Sequence, residues 1–326
     1  MTHDVLCLRP EADFTRVGVT PPSAFRTAYR APDAPDVPDL MREVRALLIP
    51  AVGPKLPPAL FENTTVKMVQ ITGAGVDRLD EAALKARGIP VCNVPGGSNS
   101  AVAEYAVTTA SVLLRRFAWA DAEIRAGNYA KFRGRMVQDN LAGLDGLTVG
   151  VVGLGTIGLA VAQAFHRWNC RIAYFDPAPR DPAAAAAMGA KSMPLDELLR
   201  TADVVTLHVP LLPATKGLIG EKELRSMKPD AILVNGARGG IVDEGALARV
   251  LESGHLGGAA VDVYSVEPPE AANPLFTVTG DAARRLLFTP HVGGVTRQAS
   301  AFLFEHAWAN VERVLAKGEA PANRVY

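Results

Sequence analysis

A short apolar run followed by three spaced glycines is the feature that most constrains the fold of this chain. Residues 149–152 have the composition of a buried parallel strand, and Gly153, Gly155 and Gly158 follow at G-x-G-x-x-G spacing. An amphipathic pattern over residues 159–168 then predicts a helix. The first glycine permits a tight turn, the second admits a pyrophosphate to the backbone, and the third lets helix and strand pack closely. The residues of this turn that we predict to bind a dinucleotide are Gly153, Gly155, Thr156, Ile157 and Gly158.

A carboxylate ends the next apolar run. Residues 171–175 predict a second strand, and Asp176 follows about twenty residues beyond the glycines, where an acid accepts hydrogen bonds from the adenosine ribose. A carboxylate there also repels a ribose 2′-phosphate, so we expect the cofactor to be NAD rather than NADP. Arg180, a few residues further on, would weaken this preference. The alternative is an aspartate that only caps the proline-rich turn after it.

Composition excludes several classes of protein. The 326 residues, 48% of them hydrophobic, are enough for two cores, and 34 Lys and Arg balance 34 Asp and Glu. We therefore expect neither nucleic acid nor a membrane as partner. Three scattered cysteines and no leader-like apolar segment predict a cytoplasmic protein. The histidines lack metal-ligand spacing, so we predict no catalytic metal.

The first part of the chain has the pattern of a compact α/β unit. Strands are predicted at residues 5–8, 46–49, 66–71 and 91–94, helices at 40–44 and 80–87, and an exposed loop at 31–38. Two glycines in residues 72–77, after the third strand, expose backbone N–H groups at the ligand edge of an open sheet. A tight turn without a ligand is the alternative.

A long apolar helix and a second alternating region follow. The helix at residues 98–116 is expected to be buried between domains or against another subunit, and the aromatics after it suggest an interface or core packing. From about residue 145 to 289, strands and helices alternate as in a doubly wound parallel sheet. The further strands are predicted at 204–208, 231–235, 258–263 and 286–288, with helices at 182–188, 195–200, 221–227 and 244–253 and a final helix at 297–317.

Three polar residues stand just after strands of this second region. Arg238, Glu267 and His291 would meet at the carboxyl edge of a parallel sheet, around the cofactor crevice. An arginine can hold a carboxylate, and a histidine can exchange a proton with a reacting oxygen. A carboxylate beside the ring orients it and favours the imidazolium. Each also has a plain alternative: a surface cation, a turn residue and a buried structural histidine.

His208 ends another predicted strand. We place it and the nearby Pro210 among the cofactor-binding residues, with a structural role for His208 as the alternative.

Four ordered motifs together resemble the D-isomer-specific 2-hydroxyacid dehydrogenases. They lie at residues 152–158, 227–243, 260–268 and 289–294, and the similarity extends from about residue 66 to the last helix. The resemblance implies an α/β protein of two Rossmann-like doubly wound parallel-sheet domains, the smaller flavodoxin-like and built from both chain ends. These would be a substrate domain of residues 1–97 plus 293–326 and a dinucleotide-binding domain of residues 98–292, the latter forming most of a homodimer interface.

The resemblance also assigns roles by position. His291 becomes the acid/base, Glu267 its partner, Arg238 the cation that orients the substrate, and Asp262 the residue that holds the nicotinamide carboxamide. The predicted substrate-binding residues are Ala74, Gly75, Arg238 and His291. The first two would act through their backbone amides.

The substrate is less constrained by the sequence. Gly236 and Arg78 depart from the usual family pattern, and Arg78 leaves the substrate contacts open. Residues 50–53 carry no charge, although Lys55 is near, which favours a small unphosphorylated 2-oxo acid such as glyoxylate, hydroxypyruvate or pyruvate. The alternatives are D-3-phosphoglycerate dehydrogenase, phosphite or formate oxidation, and a non-catalytic NADH-sensing protein related to corepressors.

Overall fold

The computed structural model describes every residue except Met1, Thr2, Pro179 and Asp181. The first two lie in the N-terminal stretch from which the absence of a leader was predicted, so that part of the prediction falls outside the described residues. The chain forms two compact units. Unit 1 consists of the residues up to Ser98 together with Val295–Tyr326, and unit 2 is Asn99–Gly294.

Unit 1 contains a five-stranded parallel sheet. Its strands are β1 (Val5–Cys7), β2 (Thr27–Tyr29), β3 (Ala46–Ile49), β4 (Met68–Ile71) and β5 (Val91–Cys92). Their order is β2-β1-β3-β4-β5, which is the flavodoxin-like order, and the strand order reverses between β1 and β3. Loops beyond the carboxyl ends of these two strands flank the crevice where open α/β sheets bind ligands.

Helices cover both faces of this sheet, because successive strand residues point to opposite sides. The helices are α1 (Glu11–Arg16), α2 (Val37–Leu40), α3 (Glu81–Ala86) and a C-terminal helix (Arg297–Leu315). On one face Val5 and Cys7 share a core with Phe304 and Trp308 of the C-terminal helix. On the other face Leu6 packs in the cluster that contains residues of α2 and α3. The C-terminal helix is therefore part of the core of unit 1.

Unit 2 contains a seven-stranded parallel sheet of order β12-β11-β10-β9-β6-β7-β8. Its strands are β6 (Thr148–Val152), β7 (Arg171–Phe175), β8 (Lys191–Ser192), β9 (Val204–Leu207), β10 (Ile232–Asn235), β11 (Gly258–Val261) and β12 (Leu286–Phe288). The strand order reverses between β6 and β9, so the crevice lies beyond the carboxyl ends of these central strands. Both sheets confirm the predicted fold class.

The helices of unit 2 lie on both faces of its sheet. They are α4 (Asn99–Leu114), α5 (Phe117–Arg125), α6 (Tyr129–Gln138), α7 (Thr156–Arg167), α8 (Pro182–Ala186), α9 (Leu195–Thr201), α10 (Glu221–Ser226), α11 (Glu244–Glu252) and α12 (Gly280–Ala283). The apolar helix α4 packs on α7 and on strands β10 and β11. Much of its burial therefore occurs within unit 2.

Several predicted elements differ in position from the observed ones. The structure contains β2 and α1, which the sequence pattern did not reveal, since each is short. Helix α2 begins at Val37, inside the stretch predicted as a loop, and ends where the predicted helix was to begin. Its proline occupies the first turn, where the missing N–H has no helical partner to lose. Most other elements end one to three residues earlier than predicted.

Candidate active site

The glycine turn joins β6 to α7, and each glycine meets a different environment. A Cβ on Gly153, whose φ is +94°, would lie 2.6 Å from the carbonyl oxygen of His208, and a Cβ on Gly158 would overlap the carbonyl oxygen of Gly153. A Cβ on Gly155 would meet nothing within 4 Å. Internal packing thus requires the first and third glycines, whereas the second faces open space at the start of a 12-residue helix. That space and the helix N-terminus fit a pyrophosphate.

Thr156 and Ile157 form the first residues of α7. Thr156 is exposed, and Ile157 is partly buried against the core of unit 2. The structure therefore presents the threonine at the open side of the turn and the isoleucine toward the core. Contact between the cofactor and Ile157 stays a prediction.

Asp176 follows β7 and is joined to the glycine turn. Its Oδ2 accepts hydrogen bonds from the backbone N–H of Leu154 at 2.7 Å and from Nε of Arg180 at 2.7 Å. Its Oδ1 accepts one from the N–H of Ala178 at 2.9 Å. Burial raises the pKa of Asp176, but these donors outweigh it and lower the pKa below its ordinary value. The residue is thus an ionised acceptor beside the turn.

His208 and Pro210 follow β9. The imidazole Nε2 of His208 lies 2.8 Å from Oγ1 of Thr206, and burial lowers the pKa of His208 to about 3, so the ring is neutral near pH 7. The backbone of His208 packs against Gly153, while Pro210 is exposed and its carbonyl accepts a bond from Thr215. The contacts of His208 are structural, and cofactor contacts of both residues stay predictions.

His291 and Glu267 form a hydrogen-bonded pair. Nδ1 of His291 lies 2.8 Å from Oε2 of Glu267, and their side chains are 24% and 28% exposed. Burial raises the pKa of Glu267, but hydrogen bonds from His291 and from the N–H of Tyr264, with the charge of Arg238, lower it overall. Since an ionised carboxylate only accepts, Nδ1 carries the proton in this bond. Nε2 is then the ring atom available to a substrate.

Arg238 lies in the loop after β10. Asn235 builds this turn: its Oδ1 accepts from the N–H of Ala237 at 3.2 Å, and its Nδ2 donates to the carbonyl of Arg238 at 3.2 Å. Nη1 of Arg238 donates to the carbonyl of Ala237 at 2.7 Å. The charge of Arg238 contributes to the lowered pKa of Glu267. Arg238, Glu267 and His291 thus follow β10, β11 and β12, three neighbouring parallel strands of unit 2, and their joint action on a substrate stays a prediction.

Asp262 is 1% exposed, and its carboxylate holds the loop that carries His291. Oδ1 accepts from Oγ1 of Thr289 at 2.6 Å and from the N–H of Val292 at 2.8 Å, and Oδ2 accepts from the N–H of Gly293 at 2.8 Å. With these three bonds, Oδ2 keeps acceptor capacity for a further donor. A nicotinamide carboxamide can fill it, and that role stays a prediction.

The predicted carboxylate loop follows β4 in unit 1. Ala74 is exposed and Gly75 partly so, and their backbone N–H groups make no hydrogen bond to any residue that the structure describes. The Ala74 carbonyl accepts from Nδ2 of Asn93 at 2.7 Å, which holds the loop in place. A side chain at position 73 would clash with Ala51, because a Cβ on Gly73 would lie 2.6 Å from the Cβ of Ala51. The two available N–H groups have the chemistry to bind an anion.

Comparison with known proteins identifies the family. The sequence model of the protein family described as the D-isomer specific 2-hydroxyacid dehydrogenase, NAD binding domain, matches residues 107–293. The chain belongs to this family. The dehydrogenase is an NAD-linked oxidoreductase of 2-hydroxy and 2-oxo acids.

Two curated relatives and one solved structure show the extent of the similarity. The chain is 35% identical to the glyoxylate reductase of Thermococcus litoralis over 91% of this chain and 89% of that protein. It is 36% identical to the D-3-phosphoglycerate dehydrogenase of Archaeoglobus fulgidus over 72% of this chain, but spans only 42% of that relative. A glyoxylate reductase structure from Paecilomyes thermophila superposes with a TM-score of 0.79 at 27% identity, covering 99% and 98% of the two chains.

The dehydrogenase also contains site residues that sequence reasoning missed. Glu244 accepts hydrogen bonds from the backbone N–H of Ser265 at 2.6 Å and from Nδ2 of Asn273 at 2.7 Å, and so holds the loop that carries Glu267. Tyr105 lies 2.9 Å from Thr289 through their hydroxyls. These contacts join residues far apart in sequence, and local spacing held no signal for them.

Arg78 brings a charge to the loop at residues 50–53, which carries none of its own. The arginine is 3% exposed, and it donates to the carbonyl oxygens of Pro50 and Pro54 at 2.9 Å each. Its Nη2 is buried without a hydrogen-bond partner among the described residues. Burial and the nearby Arg9 lower the pKa of Arg78. A cation therefore lies directly beneath this loop.

The described residues lack two other features. No helix there combines the length and apolarity needed to cross a bilayer, and no three His, Cys, Asp or Glu side chains cluster as metal ligands.

Proposed function

We propose that His291 is the acid/base of this dehydrogenase, which interconverts a D-2-hydroxy acid and its 2-oxo acid. The bond of 2.8 Å between Nδ1 of His291 and Oε2 of Glu267 carries the proposal, because it fixes the ring and leaves Nε2 to exchange a proton with the substrate oxygen. Bound NAD supplies the hydride acceptor, and NADH the donor in reverse. Glu267 stabilises the imidazolium that forms when His291 takes up the proton.

Other residues of the site bind and orient. Arg238 is proposed to hold the substrate carboxylate and polarise the neighbouring carbonyl, as a guanidinium near Glu267 can do. The backbone N–H groups of Ala74 and Gly75 are proposed as further substrate-binding groups. Asp262 is proposed to accept from the nicotinamide carboxamide. In this proposal unit 1 is the substrate domain and unit 2 the dinucleotide-binding domain.

The proposed substrates are small unphosphorylated 2-oxo acids such as glyoxylate, hydroxypyruvate and pyruvate. The match to a glyoxylate reductase along 89% of that relative supports this class. One observation favours D-3-phosphoglycerate as a second candidate, because the buried Arg78 places a cation beneath the loop at residues 50–54. Phosphoglycerate-type members of the family often carry an arginine in the corresponding loop.

The protein is further proposed to be a cytoplasmic homodimer without nucleic-acid or membrane partners. Four large apolar side chains of α5 and α6 are exposed in the single chain, and a second copy would cover them. They are Phe117, Ile124, Tyr129 and Val137. Sedimentation equilibrium of the wild type and of a Tyr129→Lys, Val137→Lys variant tests this, since a dimer should dissociate in the variant.

A panel of 2-oxo acids tests the catalytic proposal. NADH oxidation is followed with glyoxylate, hydroxypyruvate, pyruvate and phosphohydroxypyruvate, and NADH binding is measured separately by its fluorescence. Turnover with one of the first three supports the proposed class, and preference for the phosphorylated acid supports the second candidate. Saturable NADH binding without turnover of any of the four acids contradicts the proposed catalytic activity and indicates a dinucleotide sensor.

A further inference from the structure

Asp176, the residue expected to accept hydrogen bonds from the adenosine ribose, already forms an ion pair with Arg180. The Asp176 side chain is 3% exposed, and three donors surround its two oxygens: the N–H groups of Leu154 and Ala178, and Nε of Arg180. Oδ2 accepts two of these bonds and Oδ1 one. A carboxylate has about four acceptor positions, so Asp176 retains capacity for only about one ribose hydroxyl.

The Arg180 guanidinium changes the charge that a ribose would meet. Its side chain is 38% exposed, and the ion pair with Asp176 uses Nε, at 2.7 Å. The two terminal nitrogens of the guanidinium, which carry four N–H donors, are not part of this bond. The pair has no net charge, and its exposed part is the cation.

This arrangement alters the usual basis for rejecting a 2′-phosphate. An unpaired aspartate after the second strand repels that phosphate, whereas an arginine nearby accommodates it. Here both residues are present, and the aspartate is the buried member of the pair. The planar guanidinium matches phosphate geometry through two parallel N–H donors.

We propose that Arg180 makes the ribose site accept a 2′-phosphorylated adenine dinucleotide as well as NAD. Asp176 fixes the guanidinium through Nε, and the terminal nitrogens of Arg180 bind the 2′-phosphate. The inference rests on the dinucleotide site of unit 2 and not on the proposed roles of His291, Glu267 or Arg238. It adds NADP(H) to the cofactors of this enzyme.

Binding of two adenosine nucleotides tests this without turnover. Titration calorimetry measures 5′-AMP and adenosine 2′,5′-bisphosphate on the wild type and on Arg180→Ala. We expect wild-type Kd values within about tenfold of each other. The variant should bind the bisphosphate roughly tenfold to a hundredfold more weakly, the range of a hydrogen bond to a charged group, and 5′-AMP almost unchanged.

Two more variants sharpen the comparison. Arg180→Lys keeps the cation and should retain part of the bisphosphate binding. Arg200→Ala breaks a similar i,i+4 pair, with 2.9 Å between Nη1 of Arg200 and Oδ2 of Asp196, and should change neither Kd. The ratio of kcat/KM for NADPH and NADH should fall in Arg180→Ala in parallel with bisphosphate affinity.

Two outcomes would overturn the inference while leaving the NAD site intact. One is a wild type that binds 5′-AMP but not the bisphosphate, and the other is an Arg180→Ala variant that loses no bisphosphate affinity. If neither nucleotide binds and NADH is not bound either, the dinucleotide site itself is refuted. Loss of turnover with normal nucleotide binding would count only against the proposed catalytic residues.

Discussion

The backbone of His291 is held by Asp262. The N–H of His291 donates to the carbonyl oxygen of Asp262 at 2.8 Å, and the carboxylate of Asp262 accepts from the N–H groups of Val292 and Gly293. His291 has a φ of +56°, a left-handed conformation that residues other than glycine seldom adopt. The buried carboxylate therefore maintains a strained backbone that directs the imidazole toward Glu267.

Replacement of Asp262 by Asn should disrupt this loop. The NH2 group of an asparagine cannot accept a hydrogen bond, so it would face the backbone N–H of either Val292 or Gly293 and at least one of the three bonds would be lost. We expect the free energy of unfolding to fall by about 3 kcal/mol, typical of a broken buried polar network, with a large fall in kcat. Urea unfolding and steady-state kinetics measure both effects. Thr277→Val, which removes an exposed hydroxyl bond to Pro274, is the control and should change little.

Replacement of His291 by Ala should lower kcat by about 10²- to 10⁴-fold, the contribution of positioned acid–base catalysis. Binding of NADH, measured by fluorescence, should stay within a few-fold of wild type. His306→Gln is a matched control, because this histidine is exposed on the C-terminal helix of unit 1. Unchanged kcat in His291→Ala would remove the residue from the mechanism.

Glu267 should make stability depend on pH in a defined direction. Its pKa in the folded protein lies below the ordinary value of 4.5, so the fold favours the ionised form. This contribution is fully present above the ordinary pKa and is lost as the pH falls through the lowered folded value. The Tm difference between wild type and Glu267→Gln should therefore shrink as the solution is acidified below pH 4.5. A difference that grows in acid would show that the fold does not favour the ionised carboxylate.

Two glycines of the same turn should respond differently to alanine. Gly155 has a φ of −69° and open space at its Cβ position, so Gly155→Ala should fold normally but weaken NADH binding by at least about tenfold. A methyl group at Gly158 would overlap the Gly153 carbonyl, so Gly158→Ala should lower Tm. Thermal melting and NADH fluorescence separate the two effects. Gly134→Ala in α6, also with an open Cβ position, should leave NADH binding unchanged.

Local sequence patterns predicted much of the fold. The glycine spacing and the alternating apolar runs predicted the turn and most strands, because a buried parallel strand needs a continuous apolar run whatever its neighbours are. The placement of polar residues after strands predicted that Arg238, Glu267 and His291 would meet, since parallel strands end at one edge of a sheet. These inferences needed only the period and the order of the elements.

Contacts between distant segments were decided by the tertiary structure alone. The sequence marks Asp262, Thr289 and Tyr105 only as separate residues, yet their hydrogen bonds define the loop of His291. It likewise places Arg78 after a turn, without showing that the side chain reaches beneath residues 50–54. Hydrogen bonds depend on distances of tenths of an ångström, which are set when elements pack. Residue type and spacing determined which chemistry was present, and packing determined which groups were paired.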